Sequence, residues 1–226
     1  RPTGLPEEIE ALFVGEMEAG RPLGWEVTTL GTICEQPQYG YTASAEQNAV
    51  GPKFLRITDI NKLPWIDWGT VPHCRSTTRD FEKYRLNQGD LVIARMADPG
   101  HGAYIENDVD AVFASYLIRF RPKLNEYGRY LQYWLFSPSY WDIVDGRKSG
   151  TTRANLNAQV LSAFPLLLPP IELASIFQRT IDDLRTQISA NVNQSTTLAA
   201  LRDALLPKLM SGEVRISHAE NLFEVI

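Results

Sequence analysis

The side chains best equipped for covalent or metal chemistry stand in contexts that lack their usual partners. "SPSY" (Ser137–Tyr140) is one residue away from the Asp/Asn/Ser-Pro-Pro-aromatic turn that clamps an amino group for methyl transfer. Ser139 stands where the second proline belongs, and no glycine-rich cofactor turn follows a strand, so the stretch reads as a helix-interrupting turn. "GRKSGTTR" (Gly146–Arg153) has the outline of a phosphate loop, but no lysine follows its second glycine. His101 in "DPGHGAYIEND" has acids nearby and no serine or cysteine nucleophile signature beside it. His73-Cys74 is one ligand pair without a second at metal-binding spacing. Cys34 and Cys74 form no CxxC and read as reduced, buried thiols. A PD…ExK nuclease pattern is absent as well.

What remains is the chemistry of recognition. "QYGYTAS" (Gln38–Ser44) offers Tyr39 and Tyr41 around a glycine that lets a polyanion approach closely. "RKSGTTR" offers Arg147, Lys148 and Arg153 with Ser149, Thr151 and Thr152, and "ARMADPGHG" adds Arg95 and His101. Such groups grip phosphates or base edges, with arginine taking guanine bidentately and Asn or Gln taking adenine. The bland alternative is solvated surface, and for cations inside strand patterns, such as Arg56 and Arg95, ordinary ion pairing.

Formal net charge is -5, which by itself argues against a polyanionic partner. The distribution qualifies this. Residues 1–50 carry eight Glu against Arg1 and Arg21, whereas residues 51–226 carry 20 basic and 19 acidic side chains. A body of net +1 binds phosphate weakly alone, so a reader of nucleic acid built this way needs a partner to supply charge. No run of 18 apolar residues and no charged-then-apolar leader is present, and a soluble cytoplasmic protein is expected. Arg1 in place of Met suggests a processed chain or a piece of a longer one.

The elements that must hold these groups are of two kinds. Residues 1–24 read as an acidic arm with a short helix over Glu7–Phe13. From Trp25 to about Arg121 the texture is strand-like, in "WEVTTLGTI", "KFLRITDI", "WIDWGTV", "DLVIARM" and "AVFASYLIRF". "NEYGRYLQYWLFSPSYWDIV" has apolar positions three to four apart and predicts one or two helices. "GRKSGTTRANLN" then reads as a polar loop, "NAQVLSAF" as a short helix and "PLLLP" as a buried strand. The prediction is α+β: a globular domain with a mixed or antiparallel sheet over 25–170, a long coiled-coil-forming helix over 171–206, and a tail over 207–226.

That helix follows Pro169-Pro170, where proline's missing N–H does no harm in the first turn. Phe177, Ile181, Leu184, Ile188, Val192, Leu198, Leu201 and Leu205 form a near-heptad pairing stripe, with Ser195 filling its one gap. About 35 residues at 1.5 Å each make a rod of roughly 52 Å, beyond what a domain with a radius of gyration of about 15 Å needs to cover itself. Asn191, Asn193, Ser195 and Thr196 place polar groups mid-rod, where they set register at some cost in stability. Pro207 is expected to end the helix and Gly212 to cap it.

Taken in order, "GWEVTTLGTI", "GDLVIAR", "SGTTRANLN", "FPLLLPP" and "LRDALLPKLMSGEV" resemble the DNA-specificity subunits of type I restriction–modification systems over about 190 residues. One departure is that the common Gln after the prolines is missing from "PPIELASI". The resemblance implies a target recognition domain over Trp25–Pro170 and a conserved spacer helix over Ile171–Leu206. It implies a non-catalytic reader of one half of a bipartite target on double-stranded DNA. Methyltransferase subunits and a motor-nuclease restriction subunit would be its partners. S-adenosylmethionine, ATP and Mg would belong to them and no cofactor or metal to this chain. A second recognition domain in the same chain, or a homodimer partner, would supply the antiparallel helix. The residues expected to touch DNA are Tyr39, Tyr41, Thr42, Lys53, Arg56, Arg95, His101, Lys148, Thr151, Thr152 and Arg153. Two other readings stay open: the recognition half of a stand-alone adenine methyltransferase, and a coiled-coil adaptor with no DNA role.

Overall fold

A computed structural model of the chain describes residues 17–18, 20–60, 64–148 and 156–213. The expected helix over Glu7–Phe13 lies outside the described residues. Two compact units divide the chain, Arg1–Gln178 and Arg179–Ile226. The protein is α+β, with antiparallel sheets, a parallel strand pair and a long C-terminal helix.

The centre of the first unit is a four-stranded antiparallel sheet in the order β4 (Gln38–Tyr39), β9 (Leu117–Phe120), β6 (Leu91–Ala94), β7 (Gly102–Tyr104). "LVIA" is buried throughout because both faces of β6 are covered. Leu91 and Ile93 point into a cluster with Tyr104, Ile118, Phe120, Trp134, Tyr140 and Phe164. Val92 and Ala94 point the other way, onto Ile105, Ala111, Phe113 and Leu117. A period of two over a wholly apolar strand therefore serves two cores at once.

Below the second core, β5 (Lys53–Leu55) runs parallel to β8 (Ala111–Phe113). The first core is roofed by α4 (Gly128–Trp134), α5 (Pro138–Lys148) and α6 (Ala158–Ser162), and by β10 (Pro165–Leu168). β10 pairs antiparallel with β3 (Glu26–Thr29), so the domain's first and last segments close on each other. A hairpin of β1 (Met17–Glu18) and β2 (Arg21–Pro22) precedes them, turning at Gly20.

Several expectations are met and others corrected. "SPSY" is the turn between α4 and α5: Ser137 Oγ donates to Trp134 O at 2.7 Å and accepts from Tyr140 N at 3.3 Å. Both cysteines are free and buried. "WEVTTLGTI" is a strand only to Thr29; Leu30–Ile33 turn into α1, where Leu30 N donates to Phe164 O. Gly31 allows the close packing there, since a Cβ would lie 2.8 Å from Ser162 Cβ. "WIDWGTV" is a turn instead of a strand, because Asp67 Oδ1 and Asp67 O accept from Gly69 N and Thr70 N. "ITDI" is the short helix α2 (Ile57–Ile60), and α3 (Thr78–Tyr84) was not anticipated.

The long helix, α7, spans Ile171–Met210, about 60 Å at 1.5 Å per residue. It runs one turn past Pro207, where the sequence had placed its end. So near the C-terminus the lost N–H and the crowded carbonyl of residue 203 disturb one turn that is open to solvent, and Ser211 N still reaches Pro207 O. Gly212 caps the end with φ +75, as expected. Among the described residues no helix is long and apolar enough to cross a membrane.

Candidate nucleic-acid interface

Three segments that are far apart in sequence meet at one end of the central sheet. Tyr39 ends β4, Arg95 and His101 bound the connection from β6 to β7, and the third segment enters α6 through Leu156 and Asn157. Each is held by a specific bond.

Tyr39 is placed by the residues on either side of it. Gln38 Nε2 donates to Lys83 O at 3.0 Å, and its Oε1 accepts from Arg119 Nη2. After it comes Gly40, where a Cβ would sit 2.2 Å from Ala114 O, so only glycine lets the chain cross the end of β8. Tyr39 itself is partly exposed, and its hydroxyl accepts from Ala158 N at 3.0 Å at the start of α6. Asn157 caps the same helix, its side chain accepting from Val160 N at 2.9 Å.

Arg95 leaves the sheet beside it, its guanidinium carbon 5.2 Å from the centre of the Tyr39 ring. Stacking of this kind holds the planar cation and leaves its outer N–H groups directed along the plane. Its Nε is buried and has no hydrogen-bond partner among the described residues, and Nη2 lies 3.8 Å from Met96 Sδ. The backbone of the same residue ties two segments together, with Arg95 N donating to Tyr116 O and Arg95 O accepting from Leu156 N.

His101 lies across the hairpin, where Ala94 N donates to His101 O. Its ring packs edge-on against Trp141 of α5 at 4.8 Å, and its Nδ1 is 3.0 Å from Asp98 Oδ1. The connection is strained at Ala97, which adopts φ 64, while Gly100 takes φ +98 without strain. Gly100 O also accepts from the buried Tyr140 hydroxyl at 2.6 Å. Strain of this kind concentrates at sites where a loop must be presented in one shape.

Of the residues expected to touch DNA, the structure therefore gathers Tyr39, Arg95 and His101. Lys148 ends α5, and the flanking Arg147 is exposed; Thr151, Thr152 and Arg153 lie outside the described residues. The remaining four are elsewhere. Lys53 Nζ donates to Val71 O at 2.8 Å. Arg56 forks onto the buried Asp59, Nε to Oδ2 and Nη2 to Oδ1, each at 2.9 Å. That hydrogen-bonded pair raises the Arg56 pKa further. Tyr41 packs its ring 5.3 Å from that of Tyr84, and Thr42 follows it, exposed.

Two positioning residues were not anticipated from the sequence. Arg119, on β9, holds Gln38 and donates to Arg85 O at 2.7 Å. Burial pulls its guanidinium below the usual range, and the nearby Asp90 carboxylate opposes that pull. Asp90 is fully buried and receives Arg121 Nε at 2.7 Å and Nη2 at 3.0 Å. A cation at the third position of the apolar "LIRF", together with an acid just before the neighbouring "LVIA" strand, was the available signal.

Residues 22–194 match the type I restriction modification DNA specificity domain. The chain belongs to that family. Among curated members, this specificity-domain chain is similar to the type I restriction enzyme MjaIX specificity subunit of Methanocaldococcus jannaschii. The two are 26% identical over 212 residues, 92% of this chain and 48% of that subunit. A shorter match, 31% identical over 72 residues, links it to the HindI specificity subunit of Haemophilus influenzae, covering 32% of this chain and 16% of that one. Its fold is that of two solved specificity subunits. The type I S subunit from M. genitalium gives a TM-score of 0.56 at 16% identity, over 89% of this chain and 47% of that one. The HsdS subunit from Thermoanaerobacter tengcongensis gives 0.50 at 19%, over 92% and 51%. The specificity-domain chain thus spans about half the length of the MjaIX subunit and of these two structures.

Proposed function

We propose that the chain reads one half of a bipartite DNA target for a type I restriction–modification complex and makes no bonds itself. The observation that carries this is the Tyr39–Arg95–His101 cluster in a chain of the DNA specificity family: a cation stacked on an aromatic ring with unfilled donor capacity, on a rigid sheet end. Arg95 is the base-edge or phosphate donor, Tyr39 fixes its plane, and His101 flanks it. Lys148, Thr151, Thr152 and Arg153 extend the contact along the backbone, with Tyr41 and Thr42 beyond it, while Lys53 and Arg56 serve the fold. Methyltransferase subunits and a restriction subunit dock on the chain, share the phosphate neutralisation, and bring S-adenosylmethionine, ATP and Mg. α7 pairs with a second helix and spaces two reading heads. The site of action is the cytoplasm, where that DNA is.

The test is methylation. The chain, combined with a type I methyltransferase subunit, is expected to direct methylation to one split sequence. Arg95→Ala in that complex is expected to weaken DNA binding by about 1–3 kcal/mol and to relax the sequence at one position. Methylation that ignores sequence, or a complex indifferent to Arg95→Ala, Arg147→Ala and Arg153→Ala together, overturns the reading and favours an adaptor without a DNA role.

A further inference from the structure

The first unit leaves one concave apolar face open. A groove of about 800 Å³ lies between β3, α4 and the first turns of α7, walled by Trp25, Val27, Tyr133, Leu173 and Phe177. Val27 in its wall is 65% exposed and Tyr133 is 47% exposed. Aromatic and aliphatic side chains left bare together in a concave site mark a place where something binds.

The chain itself runs along the rim of this groove. Gly24 approaches Pro170 closely, a Cβ there lying 3.5 Å from Pro170 Cγ, and Trp25 packs edge-on against Tyr130 at 6.4 Å. Immediately before them is the β1–β2 hairpin, in which Met17 pairs with Pro22. Trp25 N donates to Pro22 O at 3.1 Å, a turn that brings their Cα atoms within about 7 Å. Paired residues on antiparallel strands are about 5 Å apart, so Met17 lies within about 12 Å of Trp25. Four residues of extended chain reach about 14 Å. Phe13 is thus tethered within reach of the Trp25 wall.

Residues 1–16 lie outside the described residues, and their sequence suits the groove. Ile9, Leu12 and Phe13 stand at helical spacing among Glu7, Glu8 and Glu10. On a helix the three apolar side chains share an arc of about 100°, and the three carboxylates fall outside it. Electrostatics selects the same face. Burial and, after it, the carboxylates of Glu26, Glu172 and Glu126 raise the Tyr127 pKa, and the Tyr127 hydroxyl donates to Pro169 O in the groove wall. A rim carrying that negative charge turns the glutamates of the arm outward and accepts its apolar side.

We infer that this arm folds back on its own chain, with Ile9, Leu12 and Phe13 filling the groove and the glutamates facing water. The proposal goes beyond the reading of DNA and does not depend on it. Tethering favours this occupant over any free one, because a segment held so close acts at an effective concentration on the order of millimolar. The arm is an intramolecular plug: it closes the apolar face to other partners and braces β3 against the first turns of α7.

Disulfide formation in the full chain tests the contact, since Val27 is exposed and native Cys34 and Cys74 are buried. Under mild oxidation Phe13→Cys with Val27→Cys is expected to close within one chain at least about tenfold faster than Glu10→Cys with Val27→Cys. The tether is nearly the same in both, so the ratio reads which face of the arm meets the groove. Equal rates overturn the proposal. A cross-link between two chains in place of one within a chain gives the groove to a second copy and overturns it too. Opening the groove is the second measurement, made with Nile red, an uncharged apolar dye. Leu12→Asp with Phe13→Asp is expected to raise dye fluorescence severalfold while far-UV circular dichroism is retained, and adding Val27→Asp is expected to abolish the increase. A double variant that binds no more dye than the unaltered chain means a groove already open, and sinks the plug. Neither readout involves DNA, so failure of this proposal and failure of the DNA reading are seen separately.

Discussion

Arg56 and Arg95 look alike in the sequence, each a cation at the end of an apolar run. Three residues after Arg56 comes Asp59, buried and accepting from its Nε and Nη2; Arg95 lies over a tyrosine ring, with no ion pair to a carboxylate among the described residues. The two should therefore separate in experiment. Arg56→Ala leaves a buried carboxylate unpaired and is expected to lower stability by about 1–3 kcal/mol in urea unfolding, with DNA affinity unchanged. Arg95→Ala is expected to do the reverse. The thiols answer to pH. Burial pushes Cys34 up from 9.0 to about 12 and Cys74 to about 11. A raised folded-state pKa gives stability that is complete below pH 9 and lost as pH rises through the folded values. The chain should accordingly hold its stability to about pH 9 and lose it progressively toward pH 12, followed by circular dichroism. Near pH 8 neither thiol should react with iodoacetamide until urea is added.

Elements, more than residues, were legible where their signals are local. The spacing in "NEYGRYLQYWLFSPSYWDIV" and the Asn cap of "NAQVLSAF" depend only on neighbours along the chain, and α4, α5 and α6 formed as expected. α3 carried a comparable signal, Thr77 accepting from Asp80 N and donating to Asp80 Oδ2, which the strand-like texture around it obscured. Asn157→Ala is expected to cost about 1 kcal/mol and to loosen the start of α6 against Tyr39, visible as faster amide exchange at Val160. Gly40→Ala is a harsher test. Its methyl would overlap Ala114 O, and a loss at the upper end of about 1–3 kcal/mol is expected.

For the whole molecule, charge is the quantity that sets behaviour. A net of -5 gives the isolated chain little attraction for DNA. Each phosphate neutralised adds about -0.9 to the slope of log K against log salt, so the assembled complex should show a steeper slope than the chain alone. Titrating labelled DNA at several salt concentrations, with and without the methyltransferase subunit, checks this; equal slopes would place all the phosphate contacts on this chain. Asp90→Ala probes the fold at the same scale. It strips Arg119 and Arg121 of a fully buried partner, and a cost of about 3–5 kcal/mol is expected.

From its order of residues alone the chain determined an α+β domain followed by a rod, and the buried state of both thiols. These depend on composition, on periods of two and of three to four, and on spacing, all of which act over one or two turns. Which cations stay available, where β4 must cross β8, and that Tyr39, Arg95 and His101 share one sheet end were decided only by tertiary structure. Those facts depend on partners brought together across the chain: Ala158 lies 119 positions from the tyrosine whose hydroxyl it meets. A contact of that span leaves no trace in local pattern, because the chain between its ends is free to close in many ways until the sheet chooses one.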